Sequence, residues 1–394
     1  MDNIKKDFIG NIAILLCGDI EFDSRVKRIS SYISSEFNSV TLHFLDRPIN
    51  GPNSNSSSKD SKSFFNDNGL NIKSYKLLSD FLPKGGKWGY IKYSEFFFRA
   101  FIGVKKSDLI YCNDIQTLPV AFFLKIFKPK LKIIYDTHEL APYKGTPSRS
   151  KVKLRAFLES ILIKKADFVF TVSERIATWY RRLYKLDYIY PIYNSPALSN
   201  AVENINTFGK TQNSSINFLW HGILAKNRGI ETVLMAFERQ FSKPVTITFI
   251  GWGDLEEIIK ASSNINDSII HKPPMSQERL LEHIVEYDCG LFTYQKSSKN
   301  YDWAMPNKFF EFSSAALPII SFPLSEAKKT IQKYRFGIVS DDFSEESLRK
   351  SIEEFINIDA REKKDLKNNA KNFLKSNSWK IQQDKILDCL KKIN

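Results

Sequence analysis

The feature that most constrains this chain is an alternation. Short, continuous apolar runs trade places with amphipathic segments, and the pattern holds from Asn11 to Ser321. Asn11–Cys17 (NIAILLC), Ser39–Leu45, Asn71–Leu77, Asp108–Cys112, Leu131–Asp136, Asp167–Val172 and Tyr188–Tyr193 read as strands. Arg25–Phe37, Thr117–Phe127, Val152–Lys165 and Glu174–Tyr184 read as helices between them, while Asn50–Asn68 and Pro83–Gly89 (PKGGKWG) read as loops. Strands that alternate with helices of roughly 10–15 residues imply βαβ units and a parallel sheet. Their apolar runs are unbroken, as expected of a sheet covered on both faces.

The pattern then stops and restarts. Ser195–Ser215 is polar, holds Pro196, Gly209 and several Asn, and lacks an apolar period, so it reads as a connection. Beyond it, strands at Asn217–Gly222, Val245–Ile250, Ser268–His271, Cys289–Thr293 and Pro318–Ser321 alternate with helices at Ile230–Phe241, Leu255–Ala261, Glu278–Glu286 and Lys308–Ala315. With 394 residues available, the expectation is an α/β chain of two Rossmann-like domains facing a central cleft. The boundaries read as 1–195, a linker at 196–215, 216–375, and a C-terminal helix at 376–394 packing back towards the first domain. Ligands of such sheets bind outside the carboxyl ends of the strands.

Composition narrows the function classes. The net charge is +14, of which residues 1–190 carry +12 and the rest +2. Such asymmetry points the first half at an anionic surface. Charge alone does not make a nucleic-acid binder, and no helix-turn-helix, RRM or KH signature is present. No run of about 18 apolar residues exists, so no spanning helix is expected; Met1–Asp7 leads into no signal-peptide core. Cys17, Cys112, Cys289 and Cys389 are scattered, as are the five His, which argues for buried thiols in a reducing cytoplasm and against a structural zinc site.

Three stretches of the second half carry chemistry. His221-Gly222 through Lys226, Arg228 and Gly229 sets two cations and two glycines at a strand-to-helix turn, a composition suited to a diphosphate. Gly251-Trp252-Gly253 follows a strand, but position 256 is Glu, so the dinucleotide fingerprint is incomplete. Met305-Pro306-Asn307-Lys308 opens a helix whose first turn carries a cation, where the dipole disfavours one unless an anion joins it. Glu311 lies three residues on, nearly on the same face, where it could accept from ribose hydroxyls or merely pair with Lys308.

Together with Asp23-Ser-Arg25, Asn113-Asp114, Asp136-Thr-His138-Glu139 and Ser173-Glu174, these pieces resemble the GT-B-fold retaining glycosyltransferases of family 4, of the bacterial surface-polysaccharide type. The resemblance spans nearly the whole chain and rests on the order and spacing of the pieces. It implies that His138, Arg228, Lys308 and Glu311 are catalytic. Donor binding would fall to Gly222, Lys226, Arg228, Gly251, Trp252, Gly253, Asp302, Met305, Pro306, Asn307, Lys308 and Glu311. The acceptor side would hold Asp23, Arg25, Asn113, Asp114, His138 and Glu139. The family's paired glutamates stand eight residues apart; here the first position is Trp303, with Asp302 beside it, so that either Asp302 stands in, or the contact with the donor sugar differs, or activity is impaired, the first two being favoured.

The implied reaction moves a sugar from a UDP or GDP sugar to a hydroxyl of a glycan or polyprenyl-diphosphate-linked acceptor, with retention and with neither cofactor nor metal. The implied place is the cytoplasm, at the anionic inner face of the plasma membrane. Two other functions fit the same fold: a catalytically impaired subunit that binds donor or partner, and a nucleotide-sugar 2-epimerase. In the first half, Lys151, Lys153, Arg155, Lys164, Lys165, Arg181 and Arg182 supply basic surface, with Trp88, Phe96, Phe97, Phe98 and Phe101 nearby in sequence. Most of these phenylalanines are expected in the core.

Overall fold

The computed structural model describes residues 10–18, 20, 23–45, 69–83, 86–143, 148–196 and 215–393. The N-terminal segment, the loop at 50–68 and most of the linker at 196–215 lie outside the described residues. The chain divides into two units, Met1–Ile192 with Gln383–Asn394, and Tyr193–Gln382.

The first unit is built on seven parallel strands: β1 (Ile12–Leu16), β2 (Val40–Leu45), β3 (Asn71–Tyr75), β4 (Leu109–Asn113), β5 (Lys132–Thr137), β6 (Phe168–Thr171) and β7 (Ile189–Pro191). Their order is β3-β2-β1-β4-β5-β6-β7. Every residue of β1 and β4 is buried, which is why their sequences are unbroken apolar runs. The intervening helices are α1 (Ser24–Glu36), α2 (Gly86–Val104), α3 (Leu118–Phe127), α4 (Arg149–Leu162) and α5 (Glu174–Tyr184). The crossovers through α2, α3 and α4 all carry the chain in one direction across the sheet, and the right-handed rule sets these three helices on one face. Helix α1 crosses the other way and covers the opposite face.

Helix α2 corrects the sequence reading, which made Pro83–Gly89 a loop. Residues 86–89 are its first turn. Glycines inside a helix cost about 1 kcal/mol each relative to alanine, yet Phe96, Ala100 and Val104 are fully buried and repay that cost. Of the aromatic run, Phe96 is core, as expected, whereas Phe98 is 64% exposed. Helix α4 is held from beneath by Glu159, whose buried carboxyl accepts from the hydroxyls of Tyr135 and Tyr180 at 2.8 Å and of Tyr184 at 2.6 Å. Burial pushes this carboxyl up, against the three hydroxyls.

The second unit holds six parallel strands: β8 (Ile216–Ile223), β9 (Val245–Trp252), β10 (Ile269–Lys272), β11 (Cys289–Phe292), β12 (Ile319–Ser321) and β13 (Gly337–Val339), in the order β10-β9-β8-β11-β12-β13. Its helices are α6 (Ile230–Phe237), α7 (Glu256–Ile265), α8 (Gln277–His283), α9 (Lys299–Trp303), α10 (Asn307–Ser314), α11 (Ser325–Tyr334), α12 (Glu345–Asn357) and α13 (Ala360–Ser376). Helix α14 (Trp379–Ile393) begins in this unit, and its residues from Gln383 onward belong to the first. The two sides of the sheet form separate cores. Phe218 and Trp220 of β8 pack on one side with Phe249 and Phe355, while Leu219 packs on the other with Phe309 and Phe312, as the period of two in a strand dictates. Among the described residues, no helix is long and apolar enough to cross a membrane.

Candidate functional site

The carboxyl ends of β8, β9 and β11 meet the start of α10. Gly222 of β8 pairs in register with Gly251 of β9. At Gly222 φ is +124°, and a Cβ there would lie 2.6 Å from the Lys308 ammonium, so only glycine leaves the lysine its place. Pro306 caps α10 and sets Asn307 and Lys308 in its first turn. The Lys308 side chain is buried, with its Nζ 5.4 Å from the Trp220 ring and 5.7 Å from the Tyr294 ring. Arg228 joins it: its guanidinium lies 4.8 Å from the same Tyr294 ring, and Nη1 donates to the Tyr294 hydroxyl at 2.5 Å. Thr293 fixes the backbone of this turn by donating to the Arg228 carbonyl at 3.0 Å, while accepting from Trp220 Nε1 at 3.1 Å. Among the described residues, neither cation is joined to a carboxylate.

Glu311 does not pair with Lys308. Its Oε1 accepts from Gln277 at 3.5 Å, and its Oε2 lies 3.5 Å from His221 Nε2. His221 is 4% exposed, and its Nε2 has no hydrogen-bond partner. Burial, and then the charge of Lys308, hold this imidazole well below its ordinary pKa. It is neutral at pH 7, and its contact with Glu311 is not an ion pair.

The remaining donor-side residues divide. Trp252 is 56% exposed at the end of β9 beside Gly253, and Asn307 and Lys226 are exposed at the same strand ends. Met305 lies elsewhere: it is buried in the apolar core beneath α10 with Phe309. Asp302 is 4% exposed, and its two oxygens accept from the amide of Ser325 at 2.7 Å and its hydroxyl at 2.9 Å, with Lys296 at 3.1 Å. That carboxylate anchors the start of α11; the structure brings it to Ser325 and not to Lys308.

The first unit has its own cluster at the ends of β4 and β5. His138 follows β5 and is 16% exposed. Its Nε2 is 3.1 Å from Asn113 Oδ1 and its Nδ1 is 3.4 Å from Asp23 Oδ2, while its backbone amide donates to Asp114 Oδ1 at 3.2 Å. Burial disfavours its charge, but Asp23, Asp114 and Asp136 outweigh burial and raise its pKa. Asp23 is held low in turn: its burial is outweighed by His138, the Val26 amide and Arg25. It also caps α1, accepting from Val26 at 3.0 Å. Arg25 is 4% exposed and grips Asp136 with two bonds, of 3.0 and 2.7 Å, and the Ile192 carbonyl at 2.7 Å. Tyr111 donates to the same carboxylate at 2.6 Å. Arg25 is thus the partner of a buried ion pair, one step behind His138. Glu139, half-buried, accepts at its carbonyl from Thr137.

Two residues of the second-unit cluster were not foreseen: Tyr294, which holds both cations, and Gln277 beside Glu311. Tyr294 follows β11 just as His138 follows β5, so the strand-end rule that singled out His138 would have found it. Gln277 lies 34 residues before Glu311, and nothing local marks it. Among the described residues, no three His, Cys, Asp or Glu side chains gather so as to hold a metal ion.

With the strand-end geometry in place, comparison with known proteins is informative. Residues 67–188 match the protein-family model described as "Glycosyl transferase 4-like domain". The structure is similar to sucrose-phosphate synthase from Thermosynechococcus elongatus at a TM-score of 0.72 and 15% identity, covering 97% of this chain and 98% of that one. It is similar to Anabaena HepE in complex with UDP and glucose at a TM-score of 0.70 and 12% identity, covering 97% and 100%. It is also similar to the N-terminal domain of Candida albicans trehalose-6-phosphate phosphatase at 0.72 and 14%, covering 99% and 98%. The fold is GT-B. No curated protein sequence matches the chain.

Proposed function

We propose that the β8–β9–β11 strand ends with α10 bind a nucleoside diphosphate sugar, and that the chain transfers the sugar to an acceptor hydroxyl. The chain is a glycosyltransferase. The observation that carries the reading is the pair Lys308 and Arg228: two cations, one of them buried, turned to one tyrosine and, among the described residues, joined to no carboxylate. An uncompensated buried charge is costly, and a diphosphate supplies the missing partner. As the acceptor oxygen bonds to the anomeric carbon and the bond from that carbon to the diphosphate oxygen breaks, negative charge grows on the departing diphosphate, which takes up the acceptor hydroxyl's proton. Lys308, Arg228 and the free amides at the start of α10 stabilise it where it develops. Glu311 accepts from the ribose hydroxyls, with neutral His221 beside it as a further acceptor or donor. Trp252 and Gly253 border the base.

The first unit serves the acceptor. His138 is a donor there and not a nucleophile: Asp23 and the Asn113 carbonyl face its two nitrogens and favour the imidazolium. We take transfer to proceed with retention and without a metal, the two cations carrying that load, and the acceptor to be a glycan or a polyprenyl-diphosphate-linked glycan of the cell surface. The anionic inner face of the plasma membrane is then the place of work.

The experiment is a transfer assay with UDP and GDP sugars and a polyprenyl-diphosphate-linked glycan. Product should require both substrates, resist EDTA, retain anomeric configuration and vanish in Glu311→Ala. Epimerised nucleotide sugar without acceptor, or unchanged transfer in Glu311→Ala, would overturn the reading.

A further inference from the structure

Helix α4 wears its hydrophobic stripe on the wrong side for a soluble surface. Leu154, Phe157, Leu158 and Ile161 recur at the i, i+3, i+4, i+7 spacing that normally faces a core, yet they are 58, 61, 50 and 44% exposed. The side of α4 that faces the protein is marked by Glu159, buried against three tyrosine hydroxyls. The stripe continues on the neighbouring helices of the same sheet face. Phe127 of α3 is 77% exposed and Phe98 of α2 is 64% exposed. Ring contacts join these helices: Phe97 to Phe123 at 5.8 Å and Phe101 to Phe127 at 6.5 Å. Helix α3 is tied towards the end of α4 by Lys125, which donates to the Lys165 carbonyl at 2.9 Å. A contiguous apolar surface running over three helices is the kind of patch that marks an interaction site.

Charge names the occupant. Lys151, Lys153, Arg155, Lys164 and Lys165 are exposed on and just beyond α4. The sequence of α3 contains no acid, and the one acid of α4 is the buried Glu159. An apolar stripe rimmed by cations, with no exposed carboxylate on these two helices, matches the interface of an anionic bilayer. A second copy of the chain would set this cationic rim against another like it. We propose that the outer face of α2, α3 and α4 docks the first unit onto an anionic lipid surface, with Phe157, Leu158, Phe98 and Phe127 entering the acyl boundary and the α4 cations meeting the headgroups. This deepens the proposed function, resting on its reading of a membrane-borne acceptor, and assigns the surface that meets the membrane.

The test is co-sedimentation of the full chain with phosphatidylcholine vesicles, with and without phosphatidylglycerol. Wild type should pellet with the anionic vesicles and be released by high salt. Phe157→Asp with Leu158→Asp should abolish pelleting. Lys151→Ala should weaken it by about fivefold, since each basic residue near the surface is worth ~1 kcal/mol. These positions are exposed, so near-ultraviolet circular dichroism and the UDP-induced thermal shift should be unchanged. Equal pelleting of the double Asp variant would overturn the proposal. So would a wild type that ignores anionic vesicles but forms a concentration-dependent dimer broken by Phe157→Asp. Pelleting needs no donor or turnover. Docking that persists in a chain with no transferase activity would therefore sink the function and not the surface.

Discussion

His138 in the first unit and His221 in the second both stand at the carboxyl ends of parallel strands, and their environments push them in opposite directions. His138 sits among Asp23, Asp114 and Asp136, which raise its pKa despite burial. His221 is buried against Phe312 with Glu311 and Lys308 near it, and burial and the Lys308 charge depress it. The same side chain on the same kind of sheet edge is thus biased towards the imidazolium in one unit and towards the neutral ring in the other. The difference follows from what each site awaits. A cluster holding two cations that no described carboxylate meets is set for an anion and gains nothing from a third. A cluster of carboxylates keeps a cation of its own.

The largest test of the contrast is Arg25→Ala. It strands Asp136 in the core, and removing one partner of a buried pair costs about 3–5 kcal/mol. Urea unfolding should show this loss in the first unit, while UDP still protects the second. Next comes Lys308→Ala, which should lower transfer by about 10²–10³-fold, the loss expected when one stabilising group of a charge-developing site is deleted. It should also raise the pKa of His221 in an NMR titration, though burial still keeps it below the ordinary 6.5.

The pH dependence of stability is a third, smaller effect, with opposite signs for the two rings. His138 is raised in the fold, so its contribution is fully present below 6.5 and is lost as pH climbs through its folded value. His221 is depressed, so its contribution is present above 6.5 and is lost as pH falls below it. Melting curves should show His221→Gln flattening the acid limb and His138→Gln the alkaline one; the reverse assignment would break the comparison. The smallest expected change is in Asp23→Asn, which should move the His138 titration down towards 6.5 and leave His221 where it was.

The α/β alternation, the parallel sheets and the juxtaposition of Gly222, Arg228, Lys308 and Glu311 were legible in the sequence. These rest on periodicity, on residues just past a strand end and on the first turns of one helix. What escaped depends on distant partners. Asp302 stands beside the motif position, but Ser325, 23 residues on, claims its carboxylate. Arg25 lies in the first turn of α1, but Asp136, 111 residues away, draws it into the core. Helix α2 was hidden because its glycines oppose helix locally, while its packing against the sheet favours it. Gly103 shows the same tertiary demand: a Cβ there would collide with the Tyr75 hydroxyl.

The central claim is that Lys308 and Arg228 await a nucleoside diphosphate. The most direct measurement is the melting temperature of wild type and Lys308→Ala across a titration of UDP and GDP. A ligand at a hundredfold excess over its Kd adds about 2.7 kcal/mol of stability. The account predicts a clear upward shift in wild type with one of the two nucleotides and a shift largely lost in Lys308→Ala. Equal shifts in both proteins, or none in wild type with either nucleotide, would contradict it.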